Sequence, residues 1–212
     1  MVLVGGRDRS RTFSCVWKFA IGSRRWALLR KLPHGLHSHS AAAWDVSGRN
    51  SSERDEKTVI IVTGGLSGDG FLSANTNIYV IKLCEKHEVR KPKIDVIRTR
   101  GPYIPRFGHT SHVYRSRLFL VGGVAASGNE QPGVGIVDLI SGTSVELQVE
   151  TGIPAADICL YNHCSCLQEA DGERPRIFVF GGGGNCFSFG SHFSRRCLEI
   201  DVAMAIELVS EG

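Results

Sequence analysis

The sequence predicts an all-β fold in which one short four-stranded antiparallel unit is repeated about four times along 212 residues. Four short apolar runs each end in a pair of glycines, and these pairs recur at a nearly constant spacing. Glycine accounts for 25 of the 212 residues, against about 7% in average proteins. That excess indicates many tight turns or close approaches of the backbone.

The spacing of the glycine pairs defines the repeat. The first glycine of each pair stands at positions 5, 64, 122 and 181, so the intervals are 59, 58 and 59 residues. The runs before the pairs are rich in β-branched and aromatic residues, which is typical of fully buried strands. The runs are 2–4, 59–63, 118–121 and 177–180, and the predicted units are roughly 1–33, 34–102, 103–157 and 158–212.

Further strands are predicted on both sides of the glycine pairs. A strand marked by histidine precedes three of the pairs, and its histidines are His37, His39, His109, His112 and His163. The third strand of a unit is predicted at 77–81 and 135–139, and the fourth strand at 26–29 and 145–149. Because no convincing amphipathic helix interrupts this pattern, we expect antiparallel strands throughout.

The order of strand, glycine pair, loop, and an aromatic residue and a tryptophan around a turn resembles the kelch repeat. The first unit has the most complete pattern, with Phe19 and Trp26 flanking Gly22 and Ser23, whereas the later units lack the tryptophan. The resemblance implies kelch-type β-propeller blades, about four of them, and therefore a partial propeller or open arc. The first unit starts at its second strand, and whether Met1 is a genuine start is left open.

Three stretches are more specific than the kelch pattern. They are Gly-Gly-Gly-Gly-Asn-Cys-Phe-Ser-Phe-Gly at 181–190, Pro-Gly-Val-Gly-Ile-Val-Asp-Leu at 132–139 and Arg-Phe-Gly-His-Thr-Ser-His at 106–112. Together they are similar to the C-terminal kelch region of the tRNA wybutosine-synthesizing protein 4 family, also described as leucine carboxyl methyltransferase 2.

This resemblance implies a longer protein whose N-terminal domain is a methyltransferase that binds S-adenosylmethionine. The family acts in tRNA processing and completes wybutosine biosynthesis at position 37 of phenylalanine tRNA, by methylating a carboxylate and methoxycarbonylating an amine. No methyltransferase domain is recognisable in this sequence, so no catalytic and no cofactor-binding residue is assigned. We expect a non-catalytic kelch scaffold of a transferase, and whether the chain is itself an enzyme is left open.

Composition limits the cellular compartments and the binding partners that we expect for the protein. The net charge of +4 is weaker than that of a dedicated nucleic-acid binder. Seven cysteines without regular pairing are typical of reduced thiols. No apolar run reaches the ~18 residues that a membrane span needs, and the N-terminus lacks the features of a signal peptide. We expect a cytoplasmic protein without a membrane partner.

Three kinds of chemical site are disfavoured. The glycines at 181–184 are not followed by the helical stripe that a phosphate-binding loop requires. Equivalent histidines recur once per unit, so holding neighbouring units in register explains them better than metal binding, and no metal ligand is assigned. No serine lies in a nucleophile elbow.

Surface recognition by the loops after the glycine pairs is the remaining possibility. We expect these loops to lie at one end of the propeller, where arginines beside phenylalanines could pair with phosphates and stack on bases of tRNA. A solvated loop face is the alternative. For the basic stretch 82–100 a solvated rim is the default interpretation, and a secondary contact with phosphate is the alternative. The candidate residues are Arg7, Arg9, Arg11, His192, Arg195 and Arg196.

Two functions remain open on the sequence. The first is the scaffold of a tRNA-modifying methyltransferase, and the second is a protein-binding kelch module such as a ubiquitin-ligase adaptor or a cytoskeletal scaffold. A fold alone does not decide between them. We favour the first, because the three specific stretches point to that family.

Overall fold

The computed structural model describes residues 1–46, 58–68, 73–83, 93–126, 132–148, 160–170, 172–186 and 190–210. These residues form antiparallel sheets and one helix, so the all-β prediction is confirmed. In chain order the elements are β1 (Val2–Val4), β2 (Cys15–Ala20), β3 (Arg25–Lys31), β4 (Ser40–Asp45), β5 (Thr58–Thr63), β6 (Leu66–Ser67), β7 (Ser73–Ala74), β8 (Ile78–Lys82), β9 (Ile94–Ile97), β10 (Arg106–Phe107), β11 (Thr110–Tyr114), β12 (Arg117–Val121), β13 (Val124–Ala125), β14 (Val134–Asp138), β15 (Ser144–Leu147), β16 (Cys164–Gln168), β17 (Arg176–Phe180), β18 (Gly183–Cys186), β19 (Gly190–Phe193), β20 (Leu198–Asp201) and α1 (Val202–Ser210).

Four larger sheets follow one another along the chain. The first sheet has the order β1-β2-β3, the second β4-β5-β8-β9, the third β11-β12-β14-β15 and the fourth β16-β17-β20. The strands that end directly before a glycine pair are β1, β5, β12 and β17, as the repeat predicts. The short strands pair as β6 with β7, β10 with β13, and β18 with β19.

Neighbouring sheets pack face to face, and the alternation of side chains along each strand assigns residues to one neighbour or the other. Ile61 and Val80 of the second sheet pack against Leu120 of the third. Val62 and Tyr79, one position along, pack against the first sheet instead. The third sheet repeats the pattern, with Phe119, Val121, Val134 and Ile136 turned towards the fourth sheet. The second and third sheets are therefore buried on both faces.

The glycine pairs lie where one unit meets the next. Gly64 has φ +63°, and a Cβ there would lie 2.3 Å from the backbone oxygen of Arg106 and 2.5 Å from Cε1 of His109. The following glycine donates its N–H to the same segment, since Gly65 N lies 2.9 Å from the oxygen of Arg106. The first unit has the same bond from Gly6 to Leu36, at 2.7 Å. The glycine pair therefore permits both a left-handed backbone and close contact with the next unit.

The expectation that no helix interrupts the pattern is wrong at the end of the described chain. The fourth sheet has three strands within the described residues, and α1 follows its last strand. Asp201 caps the helix, because its Oδ1 accepts the N–H of Met204 at 2.9 Å. Val202 and Ala205 are buried against the third and fourth sheets, with Ile206 and Val209 beside them. This i, i+3, i+4, i+7 stripe was the sequence signal for the helix.

Candidate functional site

Three neighbouring edge strands, β4, β11 and β16, line a groove of about 440 Å³. We call it the edge-strand groove. It contains hydroxyl groups, one imidazole and small apolar side chains, and its lining residues include Ser40, Thr110, Ser111, His112 and Ser165. All of these polar side chains come from strands that the sequence marks by histidine.

A hydroxyl pair joins each edge strand of the groove to the next one. Ser40 Oγ lies 2.7 Å from Ser111 Oγ, which joins the second sheet to the third. Ser165 Oγ donates to Thr110 Oγ1 at 2.6 Å, which joins the third sheet to the fourth. Ser40 and Thr110 each follow the repeated histidine directly, so the two pairs occupy equivalent positions in the repeat. The sequence signal for these pairs is a hydroxyl residue directly after His39 and after His109, and our sequence reasoning did not use it.

Two histidines extend the second pair into a chain of hydrogen bonds. His112 Nε2 lies 2.6 Å from Ser165 Oγ, and Thr110 Oγ1 lies 2.9 Å from His163 Nε2. Since the Ser165 hydroxyl donates to Thr110, the consistent assignment is that His112 donates to Ser165 and Thr110 donates to His163. Burial lowers the pKa of both histidines, so both are neutral at pH 7.

This arrangement joins two sheets and does not activate a nucleophile. A serine nucleophile needs a histidine that accepts its proton, whereas here the Ser165 proton goes to Thr110 and the His112 ring acts as donor. Among the described residues, no carboxylate is hydrogen-bonded to His112. The same part of the chain contains no group of three residues able to hold a metal ion. The groove offers neutral donors and acceptors.

His109 is the most deeply buried of the repeated histidines. Burial and, to a smaller extent, the nearby charge of Arg106 together lower its pKa to about 3. Neither of its ring nitrogens has a hydrogen-bond partner in the described structure. Our interpretation that the histidines hold units in register fits His163, which contacts Thr110 of the preceding unit through a side chain. His109 instead fills the space beside Gly64.

A buried ion pair connects two of the three specific stretches. Arg106 is fully buried, and its guanidinium donates to Glu146, to the oxygen of Ile104 at 3.0 Å and to that of Gly122 at 3.4 Å. A Cβ at Gly135 would lie 3.0 Å from Glu146 Oε2 and 3.2 Å from Arg106 Nη2. A side chain at this glycine of the 132–139 stretch would therefore press on the ion pair made by the arginine of the 106–112 stretch. Sequence reasoning missed this role, since Glu146 lies 40 positions away.

The arginines of the first loop lie on the surface, between β1 and β2. Arg7, Arg9 and Arg11 are exposed. Asp8 orders this loop, because its Oδ1 accepts the N–H groups of Ser10 at 2.7 Å and Arg11 at 2.8 Å. These bonds lower the pKa of Asp8 below its usual value. The Arg11 guanidinium lies 4.9 Å from the centre of the Phe13 ring, so one arginine beside an aromatic ring is present as expected.

The other candidate residues lie in the fourth unit. His192 belongs to β19, where its backbone pairs with Gly184, and its side chain is outside the described residues. Arg195 and Arg196 follow β19 and are exposed. The second and third sheets separate this group from the first loop, so the two groups belong to different ends of the series of sheets. Phe187 and Phe189 lie outside the described residues.

The basic stretch 82–100 is partly neutralised where the structure describes it. Asp95 lies 3.3 Å from Lys82 Nζ and 2.9 Å from Lys93 Nζ. Lys86, Arg90 and Lys91 lie outside the described residues. Among the described residues, no helix combines the length and apolar character needed to cross a membrane.

Comparison with known proteins gives two relatives of the same description, while no protein-family model matches the chain. The chain is similar to tRNA wybutosine-synthesizing protein 4 of Homo sapiens, with 29% identity over 212 residues, which cover 96% of this chain and 27% of that protein. The protein of that description from Rattus norvegicus is 33% identical over 176 residues, which cover 81% of this chain and 22% of the relative. The chain thus spans about a quarter of the curated relatives it matches. The resemblance drawn from the three specific stretches is confirmed.

Proposed function

We propose that this chain is a non-catalytic, kelch-type scaffold segment that acts in tRNA wybutosine biosynthesis. The observation that carries the proposal is the similarity to tRNA wybutosine-synthesizing protein 4 along 96% of the chain. In this proposal the reaction is an S-adenosylmethionine-dependent methylation and methoxycarbonylation of phenylalanine tRNA in the cytoplasm. A methyltransferase domain outside this sequence carries out the chemistry, and the scaffold helps to hold the tRNA.

The described residues do not fit S-adenosylmethionine. A nucleotide-type cofactor is commonly held by a glycine-rich loop that opens a helix. The glycine pairs of this chain instead precede short loops and strands, and α1 begins at an aspartate cap rather than a glycine loop. Cofactor binding is therefore assigned to the other domain, and no catalytic step is assigned to this chain.

The first loop is the part of the surface best suited to tRNA. It places three exposed arginines close together, and Asp8 orders the backbone that presents them. Ordered arginines can pair with phosphates at a smaller entropic cost than mobile ones. Arg11 beside Phe13 adds a flat surface that can stack on a base. Arg195 and Arg196 provide a second, separate group of exposed positive charges.

The test measures tRNA binding and its dependence on salt. The triple variant Arg7→Glu, Arg9→Glu, Arg11→Glu is compared with the wild type by fluorescence anisotropy on unmodified phenylalanine tRNA, from 50 to 200 mM salt. We expect weaker binding and a salt slope reduced by about 1 for each phosphate that the loop no longer pairs with. The matched control Lys18→Glu, Arg24→Glu, Arg25→Glu changes the charge equally at exposed positions on β2, β3 and the turn between them.

Comparing the loop variant with its matched control distinguishes a specific role of the loop from a general effect of charge. A triple variant that keeps wild-type affinity and salt slope contradicts the role of the first loop. An equal loss in both sets would mean that net charge alone attracts the tRNA. A wild-type chain that does not bind tRNA in 50 mM salt would contradict the proposal that this segment holds the tRNA.

A further inference from the structure

The loop between β1 and β2 presents a serine hydroxyl among its three arginines. Ser10 is exposed, and so are Arg9 and Arg11 on either side of it. Arg7, which is also exposed, stands three positions before the serine. Protein kinases select their substrates by the charges around the hydroxyl, and an arginine three positions before an exposed serine suits a kinase with an acidic substrate groove.

Exposure distinguishes Ser10 from the other hydroxyl residues with this spacing. Among the described residues, an arginine also stands three positions before Thr12 and before Ser14, and both of these are half-buried. The Thr12 hydroxyl donates to the backbone oxygen of Gly68 in the second unit, at 3.3 Å. Ser10 is therefore the hydroxyl of this loop that an enzyme can reach.

The position of the loop in the repeat accounts for its exposure. The second unit packs against a sheet on each side, and the loop after its glycine pair is also exposed, at Gly68 and Ser73. Loops at these places run over the surface whether or not a further sheet packs beside the unit. The exposure of Ser10 thus does not depend on a missing neighbour.

The hydroxyl of Ser10 takes part in the contacts that order the loop. Its Oγ donates to Asp8 Oδ1 at 2.9 Å, and the same oxygen accepts the backbone N–H groups of Ser10 at 2.7 Å and Arg11 at 2.8 Å. Arg11 Nε lies 4.0 Å from the other oxygen of that carboxylate. A group added to Ser10 Oγ would therefore lie beside both Asp8 and Arg11.

A phosphate on Ser10 would change this loop in two ways. It would remove the hydroxyl proton that Asp8 accepts and place negative charge beside the carboxylate, so repulsion would weaken the contacts that order the loop. It would also offer Arg9 and Arg11 a phosphate within the same chain, in competition with the phosphates of a nucleic acid. The three arginines and Asp8 give the loop a charge of +2, and a phosphoserine contributes about −2.

We propose that Ser10 is a phosphorylation site for an arginine-directed serine/threonine protein kinase, and that its phosphate stops the loop from holding tRNA. The effect on tRNA rests on the function proposed above. The kinase transfers the γ-phosphoryl group of ATP to Ser10 Oγ. The bond from the γ-phosphorus to the β–γ bridging oxygen breaks, a new P–O bond forms, ADP leaves, and the hydroxyl proton passes to the catalytic base of the kinase.

The first test locates the phosphate and needs no tRNA. The full 212-residue chain is incubated with ATP and each of a panel of purified arginine-directed serine/threonine kinases, and its peptides are mapped by mass spectrometry. We expect one phosphate on Ser10, none in Ser10→Ala, and labelling that is several-fold slower in Arg7→Ala. The matched control Ser23→Ala, at an exposed serine with no arginine in the three preceding positions, is expected to label like the wild type.

The second test measures what the phosphate does to tRNA binding. Phosphorylated and unmodified chains are compared by fluorescence anisotropy on unmodified phenylalanine tRNA, from 50 to 200 mM salt. We expect phosphorylation to weaken binding by at least about ten-fold and to lower the salt slope by about 2, because two arginines no longer pair with tRNA phosphates. Phosphatase treatment should restore the affinity. Ser10→Asp should weaken binding in the same direction, whereas Ser23→Asp adds an equal charge at a control position and should keep the wild-type affinity.

The results distinguish this proposal from the proposed function. A chain that no kinase of the panel labels at Ser10 overturns the site. A phosphorylated chain that binds tRNA like the unmodified chain overturns the effect of the phosphate and leaves the proposed function intact. An unmodified chain that does not bind tRNA contradicts the proposed function and the effect on tRNA together, while the mapped phosphate still decides whether Ser10 is the site.

Discussion

The second and third sheets differ from the first and fourth sheets mainly in whether they have neighbours. Leu120 and Leu3 stand at the same place in the repeat, yet Leu120 is fully buried and Leu3 is half exposed. Gly64 and Gly181 have the same left-handed backbone, yet a Cβ would clash at Gly64 and would meet no described atom within 4 Å at Gly181. The repeated residues therefore fit against a neighbouring sheet. The same residue type contributes differently to stability in a central sheet and in a terminal sheet.

The largest difference in the loss of stability is expected between removal of a buried ion pair in a central sheet and removal of an exposed ion pair in a terminal sheet. Arg106→Met leaves the buried carboxylate of Glu146 without its charged partner, so we expect a loss of about 3–5 kcal/mol of unfolding free energy. Arg176→Met removes the exposed pair with Glu199 of the fourth sheet, 3.0 Å apart, and should cost at most about 1 kcal/mol. Urea denaturation followed by circular dichroism measures both losses.

A double variant separates charge from packing at the buried pair. Arg106→Met with Glu146→Gln removes both charges and keeps an acceptor for the N–H of Gly133. We expect it to recover part of the loss. Equal losses for Arg106→Met and Arg176→Met would contradict the contrast between central and terminal sheets.

The second difference is expected between the stability costs of the same substitution at two equivalent glycines. Gly181→Ala adds a side chain in a left-handed conformation, which costs about 1–2 kcal/mol. Gly64→Ala incurs that cost and also forces the next unit away from its Cβ, which adds about 1–3 kcal/mol. Thermal unfolding of the two variants under identical conditions measures the difference, and a Gly181 variant as unstable as the Gly64 variant would show that something covers Gly181.

The smallest effect is the pH dependence caused by His109. Its pKa is about 3 in the fold and about 6.5 in an unfolded chain. Below pH 6.5 the unfolded chain binds a proton that the folded chain does not, so stability is complete above pH 6.5 and falls as the pH drops towards 3. The slope contributed by one such group is at most about 1.4 kcal/mol per pH unit.

Urea denaturation at pH 7, 6 and 5 measures this slope and avoids most carboxylate titration. His109→Gln removes the titrating group, so its unfolding free energy should change less between pH 7 and pH 5 than that of the wild type. The slope that remains belongs to His37, His39, His112 and His163, whose pKa values burial also lowers. An identical slope in wild type and variant would mean that His109 is not buried as a neutral ring.

The sequence predicted the sheets because their signals are local. Each glycine pair follows its strand directly, and the alternation along β5 and β12 assigns residues to two faces. The partners of Arg106 and of Thr110 could not be predicted, since Glu146 and Ser165 lie 40 and 55 positions away. The helix α1 was missed for another reason, because seven of its nine residues are apolar and such a short apolar segment also resembles a strand.

The candidate tRNA-binding residues were only partly placed by sequence reasoning. Exposure of Arg7, Arg9 and Arg11 follows from their polar loop, and the structure adds the Asp8 contacts that order it. The predicted units already put the loop in the first unit and Arg195 and Arg196 in the fourth, and the structure adds that two whole sheets lie between them. The distance between the two groups depends on how many sheets stack between them, which is a property of the whole repeat.

The stacking of sheets also determines the order in which the molecule comes apart. Opening the first sheet breaks one interface between sheets, whereas opening the second or the third breaks two. In such a nearly one-dimensional array, local unfolding starts where the fewest interactions have to break. Amide protons of β1 and β20 therefore exchange with solvent early, and those of β5 and β12 exchange only when the central contact itself opens.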